Sequence, residues 1–378
     1  MSPYFCLWNP ESPRAVCFTA SVFDRSRELP RSMSWADFLQ GSPLPAPTGS
    51  TIVRIESPGK NWPVEKALLQ RGAARMTAGE HDHLSWEESC ALEDDPGRVN
   101  ASRQHHLGFR DCLNQVQLHF KDSGARWMQH PEDIAIMCDK AACHTHLAIA
   151  KVRVTPALGL VTGFDDLMAC MDAAGINRVF VKLCHGSSAS GTVALERAGG
   201  GRMQAFSTAR MVEQNGRVVL YNWRKITRHT DPSEIRRLVD AVCRHRAHAE
   251  VWLPKAGWQG RRFDVRIVVV AGRARQVVAR LADGPFTNLQ FGARRASAED
   301  LRAHLGQDAF TRMCEEAERA MACFPRSLYG GVDVLLHAHT HQPHIVEVNA
   351  FGDLLPGVLH EGRTTYDWEV DSMTTAPF

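Results

Sequence analysis

The stretch GGVDVLLHAHTHQPHIVEVNAFGD, residues 330–353, is the most informative part of the sequence. Its two apolar runs flank a polar, histidine-rich turn, a pattern that predicts two strands. Glu347 and Asn349 are two residues apart on the second run, so they point to the same face, and an antiparallel neighbour places Asp333 beside them. Two carboxylates and an amide oxygen form a hard, oxygen-only site suited to Mg²⁺. The alternative is a polar strand face in contact with solvent.

Arginine side chains precede this region on another predicted strand pair. Arg266 stands in FDVRIVVV, with Asp264 two residues earlier on the same face, and Arg280 follows in VVARLADG. Asn288 comes next, in FTNLQFG. An arginine held by a rigid strand can clamp phosphoryl or carboxylate oxygens with two donors. Taken separately, each arginine is equally compatible with an exposed surface position.

A lysine and a Gly/Ser-rich turn occur together in VKLCHGSSASGTV, residues 181–193. A strand that carries Lys182 into such a turn can present an ammonium group and backbone N–H groups to phosphates. The pattern is not a P-loop, because the lysine precedes the turn. Residues 196–280 contain 18 Lys or Arg and 7 Asp or Glu, a charge that favours a polyanion such as ATP, or a substrate that is acidic or peptide-like. An arginine-rich exposed surface is the alternative.

Length and composition exclude several classes of protein. The 378 residues are 44% hydrophobic and 23% charged, as in globular proteins, and they are enough for two or three domains. A net charge of +2 argues against a nucleic-acid or membrane-surface partner, and no run is long enough to span a bilayer. Eleven cysteines, an odd number, favour free thiols. These features predict a cytoplasmic protein.

Secondary-structure patterns change along the chain. Strand, loop and helix alternate over the first 75 residues, which indicates a small α/β domain. Mixed strand pairing with helices on one side indicates an α+β arrangement in the remainder. The patterns predict helices at 63–72, 137–150, 232–247 and 297–323, and strands at 51–56, 176–183, 217–223, 249–253, 263–271 and 274–281.

In their order, these features resemble the ATP-grasp superfamily over roughly residues 130–360. The ordered set is Lys140 in CDKAA, Lys182 before the Gly/Ser turn, EVWL at 250–253, DVR, R…N…G, and finally D…E-x-N. The likeness is greatest to the branch that contains glutathione synthetases and ribosomal-protein glutamate ligases. The resemblance implies an ATP-grasp fold, of the α+β and α/β classes. It divides the chain into an N-terminal α/β pre-ATP-grasp domain at 1–130, a small central subdomain with the phosphate loop at 131–200, and a C-terminal subdomain with the metal and substrate site at 201–378.

The resemblance also implies a role for each matching residue. Lys140 and Lys182 contact the ATP phosphates, beneath a loop made of Gly186, Ser187, Ser188, Ser190 and Gly191. The adenine hinge is Glu250, Val251, Trp252 and Leu253. The catalytic residues are Arg266, Arg280 and Asn288. The ligands of Mg²⁺ or Mn²⁺ are Asp333, Glu347 and Asn349. The chain departs from the family pattern at Ala189 and Ser190, where the loop has fewer glycines than usual.

By the same resemblance, the expected activity is ADP-forming ligation of a carboxylate to an amine through an acyl phosphate. The substrates are small molecules or peptides that the sequence does not identify. A phosphotransferase and a nucleotide-binding module without turnover are the alternatives. A homodimer is an expectation by analogy with related folds.

Three further cysteine or histidine groups have simpler interpretations. Cys138, Cys143, His144 and His146 are close in sequence, but a helix would scatter them, which argues against zinc. The histidines at 337–344 are expected in an exposed hairpin turn. Cys184 is expected to be a core thiol at the end of a strand.

Overall fold

The computed structural model describes residues 2–77, 82–214 and 216–375. Its N-terminal unit is a parallel sheet in the order β2-β1-β3-β4, surrounded by helices. The strands are β1 (Tyr4–Trp8), β2 (Arg31–Ser34), β3 (Ile52–Ile55) and β4 (Arg126–Trp127). The helices are α1 (Pro13–Ser26), α2 (Trp35–Leu39), α3 (Trp62–Ala73), α4 (Trp86–Ala91) and α5 (Ser102–Phe120). Every residue of β1 and β3 is buried, as expected of a parallel sheet covered on both faces.

Two short helices lead from this unit to the next sheet. They are α6 (Pro131–Met137) and α7 (Lys140–Ile149). The break between them occurs at Asp139, whose side chain accepts a hydrogen bond from the backbone N–H of Ala142 and thereby starts a new helix. Lys140 is consequently the first residue of α7, rather than a residue inside one long helix.

The second sheet is antiparallel, in the order β5-β10-β6-β7-β8-β9. Its strands are β5 (Ala157–Val161), β6 (Arg178–Leu183), β7 (Val193–Arg197), β8 (Met203–Gln214), β9 (Arg217–His229) and β10 (Ala247–Val251). The helices α8 (Phe164–Ala173) and α9 (Pro232–Cys243) pack on it and close a separate hydrophobic cluster. The domain boundary expected at residue 200 lies within this sheet, between β7 and β8.

The third sheet is also antiparallel, in the order β14-β13-β12-β15-β16, with β11 paired to β12. Its strands are β11 (Gly257–Trp258), β12 (Arg261–Val270), β13 (Arg273–Ala282), β14 (Arg294–Ala296), β15 (Tyr329–Leu336) and β16 (Pro343–Asn349). The remaining helices are α10 (Ala298–Leu305), α11 (Gln307–Ala322) and α12 (Thr365–Thr375). A single helix predicted over 297–323 is thus two, separated at Gly306.

The alternation along β12 decides which face of this sheet is polar. Val265 and Ile267 belong to the cluster packed under α11, whereas Val268 belongs to the cluster that contains residues of α1 and α12. Asp264 and Arg266 share the face of Val268, because residues two apart point the same way. The face of β12 opposite α11 therefore carries the charged side chains of Asp264 and Arg266.

The expected mixed pairing in the last two-thirds of the chain is wrong. Every strand pair of the second and third sheets is antiparallel, and the parallel pairs all belong to the N-terminal unit. Short hairpins join most of these strands, and a hairpin can only connect antiparallel neighbours. The mixture of parallel and antiparallel pairs is a property of the whole chain.

A buried ion cluster joins the N-terminal unit to α12. Arg54, on β3, is fully buried, and its Nη1 lies 2.5 Å from Glu369 Oε2 of α12. Its Nη2 lies 2.6 Å from Glu56 Oε1, and the ring of Tyr329 is 4.9 Å from the guanidinium carbon. The first and last described parts of the chain thus meet in one core.

The cysteines and helices agree with two further expectations. All eleven cysteines are free thiols, as predicted. Cys184 is fully buried, and burial raises the pKa of its thiol to about 12, as expected of a core residue. Within residues 2–77, 82–214 and 216–375, no helix combines the length and the apolar character needed to cross a membrane.

Candidate active site

The predicted metal strands pair as the sequence indicates. Asp333 of β15 lies directly opposite Glu347 of β16, and Asn349 lies opposite Gly331. The Asn349 Nδ2 donates a hydrogen bond of 3.2 Å to Glu347 Oε1 and one of 3.3 Å to the Gly331 carbonyl oxygen. Asp333, Glu347 and Asn349 therefore gather on one face. As a set of hard oxygen donors on a rigid pair of strands, they fit Mg²⁺.

Two arginines from the neighbouring strands reach the same carboxylate. Arg266 donates from Nε and Nη2 to the two oxygens of Asp333, at 2.6 and 3.1 Å. Arg280 Nη2 lies 3.1 Å from Asp333 Oδ1, while its Nε donates to Asp264 Oδ1 at 2.8 Å. These side chains are buried, so their charges interact through little water.

The glycine at position 331 makes room for this arrangement. A Cβ atom at Gly331 would lie 2.9 Å from Nη1 of Arg266, closer than real Cβ atoms come to a neighbour. A side chain here would push the guanidinium away from Asp333. The second glycine of the GGVD sequence therefore leaves space for the guanidinium of the arginine on the adjacent strand.

The two predicted lysines each face a carboxylate. Lys140 Nζ lies 2.8 Å from Glu347 Oε2, and Lys182 Nζ lies 2.7 Å from Glu250 Oε2. Glu250 also accepts a hydrogen bond of 2.8 Å from the Thr155 hydroxyl. Burial alone would raise the pKa of Glu347, but the charges of Lys140, Lys182 and Arg266 outweigh it and hold that pKa well below its usual range. The Glu347 carboxylate is therefore charged at neutral pH.

Lys255 and Thr287 are site residues that the sequence did not identify. Lys255 Nζ donates to the Thr287 hydroxyl at 2.7 Å and lies 3.3 Å from Asp264 Oδ2. Thr287 in turn donates to Asp264. Both residues lie outside regular strands, so no periodicity marks them. The scarcity of lysine, with eight in the chain, was the one signal that could have drawn attention to Lys255.

These charged groups form one electrostatic cluster. Its members are the cations Lys140, Lys182, Lys255, Arg266 and Arg280 and the anions Glu250, Asp264, Asp333 and Glu347. Five positive and four negative charges nearly cancel. The cluster can accept a polyanion together with divalent cations by exchanging partners, without leaving any of its own charges unpaired.

The predicted phosphate loop joins β6 to β7 next to this cluster. Ser188 and Ala189 have φ values of 53° and 52°, the left-handed region that glycine adopts most easily. Ser187 and Ser188 are exposed, and Gln290, in the segment after β13, donates to the Ser188 carbonyl oxygen. The loop therefore contacts the segment that contains Asn288.

The predicted adenine hinge comprises the last two residues of β10 and the two that follow, and these residues differ in their contacts. Trp252 N–H donates to the Arg178 carbonyl oxygen at 3.0 Å, and the Trp252 ring lies under the Arg178 guanidinium at 4.1 Å. Val251 N–H donates to Pro156, and Leu253 N–H to Val251. The Glu250 side chain points to Lys182, so among the four only this residue directly contacts a predicted phosphate-binding lysine.

Asn288 is the predicted residue with the least contact to the others. Its carbonyl oxygen accepts a hydrogen bond of 3.0 Å from Phe291 N–H in a short 3₁₀ turn. The adjacent Thr287, rather than Asn288, bonds to the charged cluster. The catalytic role of Asn288 stays a prediction.

A histidine cluster lies beneath the phosphate loop. His185 Nε2 is 3.0 Å from Asp139 Oδ2, and the rings of His106 and His185 stack with centroids 4.2 Å apart and planes 28° apart. Metal ions bind imidazole lone pairs in the ring plane, and two stacked rings direct theirs side by side rather than toward one point. We therefore interpret the cluster as a positioning device. The Asp139 side chain caps the start of α7, where Lys140 lies, and also contacts His185, the residue before the loop.

The other cysteine and histidine groups behave as expected, with one exception. Helix α7 scatters its side chains: the His144 ring bonds to the Thr155 carbonyl and the His146 ring to the Cys323 carbonyl. Among the described residues, the one group with metal-ligand proximity is that of His106, Asp139 and His185. Of the histidines at 337–344, His339 and His341 lie in the exposed turn between β15 and β16, as expected, and His337 there is half-buried. For His344 the expectation is wrong, because it is a half-buried residue of β16 whose ring lies 3.2 Å from the Val154 carbonyl oxygen.

No family model matches the chain, and no curated protein matches it in sequence. Solved structures do match it over almost its full length. The ATP-grasp ligase PsnB complexed with a phosphomimetic variant of minimal precursor, Mg and ADP has a TM-score of 0.53 at 14% identity, covering 99% of this chain and 98% of that chain.

Two further structures extend this likeness. The ADP complex of PurK, N5-carboxyaminoimidazole ribonucleotide synthetase, has a TM-score of 0.55 at 9% identity, covering 99% of this chain and 77% of that chain. The macrocyclase MdnC bound with precursor peptide MdnA, from Microcystis aeruginosa MRC, has a TM-score of 0.51 at 7% identity, covering 98% of both chains. At such identities, the likeness is one of fold.

Proposed function

Because the chain has the ATP-grasp fold, we propose that it is an ATP-dependent, ADP-forming ligase that joins a carboxylate to an amine. The observation that carries the proposal is the convergence of two lysines and two arginines on one oxygen-donor site: Lys140, Lys182, Arg266 and Arg280 around Asp333, Glu347 and Asn349. Other structures of this fold contain ADP and Mg, which supports ATP and Mg²⁺ as the ligands here.

In the proposed reaction, a carboxylate oxygen attacks the γ-phosphorus of ATP, and the bond from that phosphorus to ADP breaks. The amine then attacks the acyl phosphate, expels inorganic phosphate and loses a proton. Both steps require neutralisation of an unusually concentrated negative charge.

Lys140 and Lys182 are suited to hold the triphosphate. In the unliganded arrangement, they pair with Glu347 and Glu250. Phosphate oxygens would replace these partners. Glu347 would then be released to serve, with Asp333 and Asn349, as a ligand of Mg²⁺. The bound ion supplies Lewis-acid stabilisation of the phosphate oxygens.

Arg266 and Arg280 are suited to the reacting carboxylate and the transferred phosphoryl group. Both emerge on the same polar face and are fixed by buried hydrogen bonds to Asp333 and Asp264. A guanidinium held in this way stabilises charge on oxygen without reorganising during the reaction. Its fixed position is the contribution of the strands to catalysis.

The loop between β6 and β7 is suited to exclude water from the acyl phosphate. It begins at Gly186, three residues after Leu183, the last residue of the strand that carries Lys182, and its exposed serines present backbone and hydroxyl donors. An acyl phosphate hydrolyses readily, so closure of this loop over ATP would protect it.

The test is substrate-dependent release of ADP from ATP and Mg²⁺ with pooled carboxylates and amines, read together with product mass. An amide mass with ADP supports the proposal. Phosphorylated product identifies a phosphotransferase instead, and ATP binding without turnover under every substrate pool identifies a binding module.

Glu347→Gln and Asn349→Ala examine the metal assignment. We expect each to lower ADP release by roughly 100-fold or more, because a charge-stabilising group of the transition state is lost. Glu299→Gln, on the exposed face of α10, is the matched control and should retain activity. Activity that persists in both site variants would show that Asp333, Glu347 and Asn349 are not the metal ligands.

A further inference from the structure

A cavity of about 610 Å³ lies outside the proposed active site. Its walls come from β14, from α10 and from the turn between β11 and β12, and its lining includes Arg261, Arg294, Arg295, Asp300 and His304. The Trp258 and His304 rings stack at one side with centroids 4.8 Å apart and planes 9° apart. The volume falls within the range of roughly 300–1,000 Å³ that is usual for ligand sites.

The charges of this cavity favour an anionic ligand. Two arginines, Arg261 and Arg294, are directed to it against one carboxylate, that of Asp300, which already accepts a hydrogen bond from Ser297. Arg295 also borders the cavity, but its Nη2 lies 3.0 Å from Asp353 Oδ2 on the other face of the sheet. Arg261 pairs with Asp283, which is 80% exposed and therefore held weakly. Among the described residues, Arg294 has no ion-pair partner. An incoming carboxylate would satisfy it without displacing another group.

The cavity and the proposed active site lie on opposite faces of the same sheet edge. In the pairing of β13 with β14, Arg294 is opposite Leu281, which is buried in the cluster beneath α10 and α11. The next pair is Arg295 opposite Arg280, and Arg280 points to the charged cluster. Successive residues of β14 thus face the cavity and the active-site side in turn.

Strand β14 is also an edge of the sheet. The sheet order begins with β14, and within the described chain no strand pairs with the outer side of β14. An edge strand can bind an extended polypeptide through backbone hydrogen bonds. A peptide added there would direct alternate side chains into the cavity and toward the face of Arg280. A nucleotide could use the arginines but not the strand edge.

We propose that this cavity and the β14 edge form a second binding site for an acidic peptide segment. Its acidic side chains on one face pair with Arg294 and Arg261, while those on the other face are directed toward the active site. The inference rests on the proposed function in one respect, that the bound peptide carries the carboxylate to be activated. It specifies the substrate class as a polypeptide with acidic residues at alternate positions.

The experiment measures peptide binding to the full chain without ATP. The probe is a fluorescein-labelled, end-blocked peptide of four Glu-Thr repeats, and four Gln-Thr repeats are the uncharged control. Fluorescence anisotropy at about 0.15 M ionic strength, where the Debye length is about 8 Å, gives the dissociation constant for the unmodified chain, Arg294→Glu, Arg261→Glu and Arg312→Glu. Arg312 is exposed on α11 and does not line the cavity, so its reversal changes net charge equally without altering the site.

We expect Arg294→Glu and Arg261→Glu each to weaken binding of the glutamate peptide by about tenfold or more, because attraction becomes repulsion at a contact. Arg312→Glu should change it less than about twofold, since charges beyond a Debye length are screened. Circular dichroism of the three arginine variants checks that they fold alike.

Three results would overturn the inference. They are equal affinity for the glutamine peptide, equal affinity of all variants for the glutamate peptide, and tripolyphosphate binding that depends on Arg294 while peptide binding does not. Because the measurement needs no turnover, failure of ADP release would reject the ligase proposal alone. Arg294-dependent peptide binding would still stand.

Discussion

At the residue scale, Arg54 is a buried cation shared by two carboxylates. It contacts Glu56 and Glu369, and Glu369 Oε1 is a buried oxygen with no hydrogen-bond partner among the described residues. Glu56 has a second cation, because Arg14 Nε lies 2.9 Å from its Oε2, whereas Arg54 is the one ion-pair partner of Glu369 among the described residues. Burial raises the pKa of Glu369 to about 7, which the Arg54 charge only partly opposes.

A first prediction concerns the pH dependence of stability. Between pH 4.5 and 7, the folded chain holds a proton on Glu369 that the unfolded chain has lost, so this group adds stability as the pH falls through 7. Glu369→Gln removes the contribution. We expect the free energy of unfolding at pH 5 relative to pH 8 to be on the order of 3 kcal/mol lower in the variant.

Urea unfolding at the two pH values provides the measurement, with Glu315→Gln on the exposed side of α11 as the control. Buried histidines such as His248, whose pKa burial lowers to about 4, destabilise the folded chain as the pH falls below 6.5. These histidines are present in Glu369→Gln and in the unmodified chain, so their effect on the free energy of unfolding cancels when the two are compared. The same pH profile in Glu369→Gln and the unmodified chain would contradict the prediction.

Which site residues the sequence can identify depends on the element that carries them. Asp333, Glu347 and Asn349 lie on apolar strands, where a period of two fixes their shared face. Lys255 and Thr287 lie in irregular segments, so their contact with Asp264 depends on tertiary structure that no local pattern encodes. Asn288 was expected from the resemblance, and the contacts with the charged cluster are made by the adjacent Thr287 instead.

At the element scale, the β6–β7 loop depends on specific backbone conformations. Gly191 has a φ of 60°, and an added Cβ would lie 2.6 Å from Cδ1 of the buried Leu183. By contrast, Ser188 and Ala189 adopt left-handed conformations with ordinary side chains. Glycine is therefore favoured at position 191 because Leu183 leaves little room for a side chain, whereas positions 188 and 189 accept other residues at positive φ.

We predict that Gly191→Ala destabilises the chain more than Gly201→Ala does. Gly201, in the next hairpin, has a φ of 73° and nothing within 4 Å of an added Cβ, so it reports conformational strain alone. The extra cost of overpacking Leu183 should be about 1–3 kcal/mol. Urea denaturation of both variants measures it. Equal costs would mean that Leu183 moves aside without penalty.

Helices and strands with a clear apolar period or clear Pro and Gly boundaries are predictable from this sequence. Breaks inside such an element are harder to predict. Pro63 and Gly72 bracket most of α3 as the sequence indicates, and β15 and β16 are in place. The separation of α6 from α7 depends on one capping contact by Asp139. The long strand β8 was not predicted, because its alternation is interrupted at buried Ser207 and Thr208, where the strand has a bulge.

At the scale of the whole molecule, the chain has separate hydrophobic clusters that do not follow its order. One cluster contains residues of the first and third sheets together, for example Phe5 and Ile267. Another, smaller cluster is confined almost entirely to the second sheet and its two helices. A third cluster also joins the first and third sheets, for example through Tyr4 and Val268. Apolar packing therefore unites the first and third sheets and leaves the second sheet with a core of its own.

This organisation predicts two cooperative units in native-state hydrogen exchange. Amides of β6 and β8 should share one opening free energy, and amides of β1 and β12 should share a higher one, because the second sheet buries fewer apolar side chains. Exchange measured against increasing urea reports both. A single common value for all four strands would contradict the prediction.

The ion pair between Arg54 and Glu369 has a consequence for synthesis of the chain. The two residues are 315 positions apart, so at about 5–20 residues per second the ribosome delivers Glu369 roughly 15–60 s after Arg54. Throughout that interval, the nascent N-terminal sheet lacks the helix that covers its arginine. The second sheet, complete within itself, can fold while translation continues, and the first must wait for the last helix to emerge.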